Sequence, residues 1–189
     1  MANLASVLAA ALALVCGASQ EPGAPSGDAR MRTLLALVRE AVLVDDFYVG
    51  RGQLERLRER LAALPSEGQP ARRARLLREL GQNCLRVGEL EQALEHLGQA
   101  AALRPRLEGK VAPDELDQGE LQLALAWMRW GETQNCVALH TSESCLLPIR
   151  GSGVHADGEG SRRAMEIFAR LLERHPEHLA TRWCSTWPP

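Results

Sequence analysis

The sequence predicts an all-α protein: an α-solenoid of antiparallel helix pairs with a loop inserted in its second pair. Ala, Leu, Glu and Arg dominate the 189 residues, and aromatic residues make up only 4%, a composition that favours helix over sheet. Apolar residues recur at helical spacing along most of the chain. A pattern of small residues closed by a proline also occurs twice, which indicates an internal repeat.

The first copy of the pattern lies in residues 74–107. Gly81 and Ala93 are small, so two helices can approach closely there. Gly88 is expected to end the first helix because glycine adopts the left-handed conformation at low cost. Pro105 lacks an amide hydrogen and is expected to stop the second helix.

This copy resembles a tetratricopeptide repeat, a helix–turn–helix unit of about 34 residues. The matching positions are Leu77, Leu80, Gly81, Cys84, Ala93, Leu97, Ala100 and Pro105. A second copy is split. Its matching positions are Leu123, Ala124, Trp127 and Gly131 in the first helix, and Ala164, Phe168, Leu171 and Pro176 in the second. Residues 133–160 form an insert, which makes this copy roughly 28 residues too long.

The flanking segments complete the predicted organisation. A helix capped by Asp28 and ending near Asp45, and another over about 53–64, form a pair within residues 28–70. This pair lacks the small-residue signature, so we predict that it caps the solenoid. The repeats cover residues 71–183, with a loop over 104–113, a helix over about 114–130 and Ser161 as the N-cap of a helix that ends at Arg174. Residues 184–189 are predicted to be an irregular tail.

The N-terminus is typical of export. The first twenty residues carry no charged side chain, and an apolar run extends from Leu4 to Val15. We therefore predict a signal peptide over residues 1–18, a disordered spacer over 19–27 and a periplasmic or extracellular location. Acylation of Cys16 is an alternative, and it is the one form of membrane attachment expected. The net charge of −2 gives no argument for a nucleic-acid partner.

The insert leaves three interpretations of its chemistry open, beside a plain one in which its cysteines are small buried apolar residues and its histidines are merely exposed. Cys136 and Cys145 form a disulfide if the protein is exported. Alternatively, Cys136, His140, Cys145 and His155 bind zinc, although their spacing matches no standard site. A third interpretation pairs Cys145 as a nucleophile with His155 as its base. The four glycines between residues 151 and 160 predict a flexible loop rather than a phosphate site.

The insert also resembles part of a known family. Part of the chain is similar to the N-terminal helical region of a bacterial exported family. The similarity rests on Asn135, Cys136, His140, Cys145 and Ile149, which are followed by a repeat helix and by Trp183. In its members, tetratricopeptide repeats precede an FG-GAP/VCBS β-propeller and an ASPIC/UnbV domain. The resemblance covers about residues 119–183 and implies an extracytoplasmic interaction protein without catalysis in this segment.

The chain departs from that family after Trp183, which raises the interpretation of a truncated, non-functional fragment. Truncation would leave Ile167 and Leu171 partly exposed, because a further repeat normally covers such a helix. Self-association is expected for the same reason.

The expected function is binding of a protein or peptide, with no enzymatic activity and no cofactor. In the repeat family the first helix of each unit lines a concave groove. Register assigns to that groove Arg75, Arg78, Gln82 and Arg86 from the first repeat, and Gln118, Leu121, Leu125, Met128 and Arg129 from the second. Arginine suits carboxylates, and Leu and Met give adaptable apolar contact. An extended acidic and apolar peptide is therefore predicted to bind, with Arg58 as an exposed position outside the groove.

Overall fold

The computed structural model describes residues 26–46, 50–65, 68–144 and 148–185. Within these ranges it contains eight α-helices and no strand, so the predicted all-α class is confirmed. The chain divides into two compact units, one ending at Arg56 and the other beginning at Leu57. The predicted signal peptide, Cys16 and most of the predicted spacer lie outside the described residues. Among the helices of the described ranges, none has the length and apolar character needed to cross a membrane.

Helix α1 (Gly27–Asp45) belongs to the first unit. Its N-cap is Ser26, whose Oγ accepts a hydrogen bond from the amide of Ala29 at 3.3 Å. The prediction that Asp28 caps this helix is therefore wrong, since Asp28 lies in its first turn. Leu35 and Val38, two apolar side chains of this helix, are exposed.

Helix α2 (Gly52–Ala62) contains the division between the two units. Leu54 and Leu57 of its predicted apolar stripe are buried, as is Leu64 beyond its end. The helix stops before Leu64, slightly earlier than predicted. That α1 and α2 cap the repeats stays a prediction.

Helices α3 (Pro70–Val87) and α4 (Leu90–Ala102) pack as an antiparallel pair. Gly88 joins them with φ of 83°, the left-handed conformation predicted for it. The amide of Glu89 donates to the carbonyl of Cys84 at 2.8 Å, which satisfies one of the last carbonyls of α3. The turn predicted at Gly88 is confirmed.

The pair approaches closely at Gly81, which is buried. A Cβ atom at this position would lie 2.5 Å from Cγ of Leu97 and 3.2 Å from the carbonyl oxygen of Ala93. Because a side chain would collide with Leu97, α3 and α4 need a glycine at their crossing. Gly81 was predicted to be small so that two helices can approach closely, and it allows that approach between α3 and α4.

After α4 the chain forms a single turn, α5 (Arg104–Leu107), within the predicted loop. Helix α6 (Pro113–Glu132) follows and packs on α4. Pro113 lies in the first turn of α6, where its missing amide hydrogen has no intrahelical partner to lose. The end of α6 continues into a wide π-helical turn, Thr133–Val137, so the insert begins as an extension of the helix.

Helix α7 (Glu159–Arg174) packs antiparallel on α6, and α8 (Leu179–Ser185) packs on α7. The N-cap position of α7 is Gly158. Ser161 lies inside the helix, so its predicted capping role is wrong. Instead, Oδ1 of Asp157 accepts from the amide of Glu159 at 2.9 Å. Helix α8 extends into the segment predicted to be irregular, and residues 186–189 lie outside the described ranges.

One hydrophobic cluster joins α6, α7 and α8. Its buried members are Leu121, Ala124, Ala164, Ile167, Phe168, Leu171 and Cys184. Ile167 and Leu171 are only 5% and 4% exposed. The expectation that truncation leaves these two side chains partly exposed is wrong, because α8 packs on α7 and adds Cys184 to the same cluster.

A buried carboxylate ties α5, α6 and α7 together. Asp117 of α6 accepts hydrogen bonds from Arg104 at 2.9 Å and from Arg174 at 2.8 Å. Its second oxygen lies 2.6 Å from Nε2 of His175. Burial raises the pKa of Asp117, but the hydrogen bonds from His175, Arg104 and Arg174 outweigh that effect and hold the pKa below its ordinary value.

Candidate functional site

The insert, the end of α6, α7 and α8 enclose a cleft of about 880 Å³, here called the insert cleft. Apolar side chains dominate its wall, and a thiol, imidazoles and hydroxyls interrupt them. Its apolar members include Met128, Val137, Leu139, Ile149, Val154 and Met165.

Several of these apolar side chains are open to solvent. Val137 is 70% exposed, and Leu139, Ile149 and Val154 are between 46% and 59% exposed. All four belong to the insert and face one cleft rather than being scattered over the surface. Clustered exposed apolar residues are typical of interaction sites, since isolated ones carry no such information.

Asn135 fixes the insert to the helical pair. Its side chain is buried, and Nδ2 donates to the carbonyls of Gly131 and Asp157, both at 2.8 Å. Its Oδ1 accepts from the amide of Asp157 at 3.0 Å. A single amide thus holds the start and the end of the insert together, although Asn135 and Asp157 are 22 residues apart.

A second set of hydrogen bonds orders the middle of the insert. Glu143 accepts from the amide and the hydroxyl of Ser152, at 2.8 and 2.6 Å. These two bonds lower the pKa of Glu143. Gly153 packs against the backbone here, because a Cβ would lie 2.5 Å from the carbonyl oxygen of Glu143. This glycine-rich segment contains hydrogen bonds, and Gly153 permits close backbone contact within it; its flexibility stays a prediction.

This architecture brings a thiol and an imidazole together. Sγ of Cys136, on the π-helical turn, lies 3.2 Å from Nε2 of His155, and both residues line the insert cleft. Nδ1 of His140 lies 3.2 Å from the carbonyl oxygen of Cys136. The sequence pointed to Cys145 as the thiol beside His155. The structure places Cys136 there, and Cys145 lies outside the described residues.

The other two interpretations of the insert depend on the same cysteine. A Cys136–Cys145 disulfide stays a prediction, because Cys145 is not among the described residues. For metal binding, no group of three His, Cys, Asp or Glu side chains in the described ranges is arranged to hold an ion. Of the four residues considered as zinc ligands, Cys136 and His155 form the pair described above. The ring of His140 lies against the backbone carbonyl of Cys136 and not against its thiol.

The basic part of the predicted groove is engaged within the protein. Arg75 and Arg78 of α3 both form salt bridges with Glu115 of α6, at 3.2 and 3.4 Å. Gln82 is exposed. Arg86 donates to the side chain of Asn83 at 3.1 Å. Arg75 and Arg78 therefore contribute to the packing of α3 on α6, whereas the bond from Arg86 to Asn83 lies within α3.

The residues of the predicted groove that come from the second repeat lie in four environments. Leu121 is buried in the hydrophobic cluster, whereas Leu125 is exposed. Met128 and Arg129 line the insert cleft, where Arg129 pairs with Glu132 at 2.8 Å. Gln118 lies apart, in a second cleft of about 620 Å³ that His175 also lines.

Arg58, expected to be an exposed position outside the groove, is half-buried. Its Nη2 lies 2.7 Å from Glu89 and 2.6 Å from Oε1 of Gln92. That expectation is wrong, because α2 and α4 meet at this side chain. Arg58 is consequently unsuitable as a neutral control for charge reversal.

The sequence pointed to Asn135 only as part of the family resemblance and gave it no role, although its side chain holds the insert cleft together. Polar clamps of this kind have no periodicity. No protein-family model matches the chain, and no match was found among curated proteins or solved structures.

Proposed function

We propose that this chain is a tetratricopeptide-like interaction module of an exported protein, and that it binds an extended, largely apolar peptide segment in the insert cleft. The repeat assignment is supported by the order of helix packing. Helix α3 packs with α4, α4 with α6, and α6 with α7. Each of the two pairs has a glycine at its crossing, Gly81 in the first and Gly131 in the second.

The observation that carries the binding proposal is the exposed apolar wall of the insert cleft. Val137, Leu139, Ile149 and Val154 lose contact with water only when another molecule covers them. Burial of such side chains contributes roughly 25 cal/mol per Å² of apolar surface. An occupant with apolar side chains is therefore favoured over a polar one.

Two methionines make this wall adaptable. Met128 and Met165 are partly buried, pack against the hydrophobic cluster and also line the cleft. The unbranched side chain of methionine changes its shape at low cost, so such surfaces accept a range of apolar partners. Recognition in the cleft would then depend on apolar content more than on one fixed side chain.

The acidic preference predicted for the peptide is less well supported than its apolar character. Arg75 and Arg78 already share Glu115, so an acidic peptide would compete with an intramolecular carboxylate. The charges at the insert cleft include the Arg129–Glu132 pair, which is neutral as a unit. We accordingly place the principal binding surface at the insert cleft.

Selection from a phage-displayed library of linear peptides tests this function. Selected peptides should be rich in apolar residues, and their binding can be measured by fluorescence anisotropy. Leu139→Glu should weaken binding at least about tenfold, because it places a charge in the apolar wall. Leu179→Glu is the matched control, since Leu179 is an exposed leucine of α8 that does not line the cleft. Failure to select any peptide, or equal binding by the two variants, would contradict the proposal.

A further inference from the structure

The thiol–imidazole pair in the insert cleft has a geometry that peptide binding alone does not require. Sγ of Cys136 and Nε2 of His155 are 3.2 Å apart, within reach of a hydrogen bond. A histidine nitrogen at this distance accepts the thiol hydrogen when it carries none of its own. The thiolate produced in this way is the reactive form of cysteine.

Hydrogen bonds join the two segments that carry Cys136 and His155. Cys136 lies on the π-helical turn that extends α6, next to the buried Asn135. Asn135 binds the backbone of Asp157 through both its oxygen and its nitrogen, and Asp157 is two residues from His155. The amide clamp therefore fixes the chain that carries the imidazole against the turn that carries the thiol.

The pair is also accessible from the cleft. His155 is exposed and Cys136 is partly exposed. Leu139 and Val154, from the exposed apolar wall, line the same cleft. A reagent held by the apolar wall would lie beside the sulfur.

We propose that Cys136 is a nucleophilic thiol, with His155 as its base, and that it exchanges with a disulfide carried by a peptide bound in the insert cleft. The bound peptide is the part of this proposal that rests on the proposed function. The thiol chemistry itself depends only on the Cys136–His155 geometry.

The exchange balances without a further reactant. The proton of the Cys136 thiol moves to Nε2 of His155, and the thiolate attacks one sulfur of the peptide disulfide. A bond forms between Sγ of Cys136 and that sulfur as the peptide S–S bond breaks. The second sulfur leaves as a thiolate and takes the proton from the imidazolium. One disulfide is consumed and one mixed disulfide is formed.

Disulfide exchange suits this site better than acyl transfer. Acyl transfer develops charge on an oxygen and needs donors directed at that atom. Exchange develops charge only on sulfur, so a nucleophile and one proton acceptor are sufficient. Cys136 and His155 supply these two groups.

Reaction of the full chain with dithiodipyridine, a small aryl disulfide, tests the chemistry without a peptide. The released thione reports the rate, and mass spectrometry of the digested protein locates the adduct. We expect the fastest adduct at Cys136 at pH 7. His155→Ala should slow it on the order of tenfold, because the thiolate is no longer favoured. His178→Ala is the matched control, because His178 bonds to Thr181 and does not line the insert cleft.

Rescue distinguishes a chemical role of His155 from a structural one. Added imidazole should restore part of the lost rate in His155→Ala and should leave the rate of the wild-type chain unchanged. Cys184 serves as an internal reference, because it also lines the cleft while burial raises the pKa of its thiol.

Two results would overturn the inference. One is an equal rate at Cys136 in the wild-type chain and in His155→Ala. The other is an intact mass, measured without reduction, that demonstrates a bridge between Cys136 and Cys145. Neither result depends on peptide selection, so loss of the thiol chemistry and loss of peptide binding can be recognised separately.

Discussion

Asp117 of α6 accepts hydrogen bonds from Nε and Nη2 of Arg174, 57 residues later in the chain, at 3.0 and 2.8 Å. Arg104 reaches the same oxygen at 2.9 Å. Asp117 is 8% exposed, and the side chains of Arg104 and Arg174 are 17% and 33% exposed. The contact therefore excludes most of the water that would weaken an ion pair on an open surface.

Replacing Asp117 by alanine should destabilise the fold by about 1–3 kcal/mol, because two partly buried guanidinium groups lose one of the two carboxylates that they share, the other being Glu120. Urea unfolding followed by circular dichroism measures this loss. Asp114→Ala is the control, since Asp114 is an exposed acid at the start of the same helix. A similar loss in both variants would mean that the network contributes nothing beyond general charge.

The same network predicts a dependence of stability on pH. The hydrogen bonds from His175, Arg104 and Arg174 outweigh the burial that raises the pKa of Asp117, so the pKa is lower in the folded chain than in the unfolded chain. As the pH falls, the Asp117 carboxylate is protonated in the unfolded state before it is protonated in the folded state. The contribution of Asp117 to the free energy of unfolding is therefore lost as pH falls below about 5. The difference in unfolding free energy between the wild-type chain and Asp117→Asn should be largest near neutral pH. It should shrink in acid, and a constant difference down to low pH would contradict the assignment.

Gly160 should not tolerate a side chain. A Cβ there would lie 2.7 Å from the amide nitrogen of Gly131 and 2.7 Å from the carbonyl oxygen of Trp127. Since both atoms belong to the backbone of α6, α7 must move away, and we expect Gly160→Ala to cost about 1–3 kcal/mol.

Gly98→Ala is the matched control for this prediction. Gly98 lies inside α4, and outside its own helical backbone no atom lies within 4 Å of the position that a Cβ would occupy. Alanine should stabilise the helix there by about 0.5–1 kcal/mol. Thermal unfolding of the two variants should consequently change in opposite directions, and a change in the same direction would exclude the close helix contact at Gly160.

Charge reversal of Arg78 should lower the stability of the fold, because Arg78 is paired with Glu115 within the protein. Arg78→Glu places two carboxylates together at Glu115 and should cost about 0.5–1 kcal/mol, a modest amount because both side chains are partly exposed. The double exchange Arg78→Glu with Glu115→Arg should recover part of that loss. If the double variant is no more stable than the single one in urea, the pairing between α3 and α6 does not contribute.

The sequence predicted best where a single residue determines local backbone geometry. Gly88 takes the left-handed conformation because other residues would be strained there, and Gly81 is small because Leu97 occupies the adjacent space. Both constraints act within one helical pair. They are visible as a residue type at a fixed spacing.

The candidate site was predicted less well because its contacts join distant parts of the chain. His155 meets Cys136 because Asn135 bonds to Asp157, and no local pattern encodes that bond. Arg78 pairs with Glu115, 37 residues away, which reduces its value as a binding residue. The prediction of a helix cap at Ser161 was wrong for a different reason. Ser161 is a favourable cap by residue type, but α7 begins earlier, where Asp157 supplies the acceptor.

The contact between Gly131 and Gly160 also determines how far the length and sequence of the insert can change without disturbing the helices. The loop leaves α6 and returns to α7 at neighbouring points, so its length does not determine how the two helices pack. Each doubling of a flexible loop costs only about 0.6 kcal/mol in closure entropy. A graft that exchanges the segment between these glycines for a short linker should preserve the helical scaffold while it removes the cleft. The surface that the insert presents can therefore change by exchange of one loop, without altering the helices beneath it.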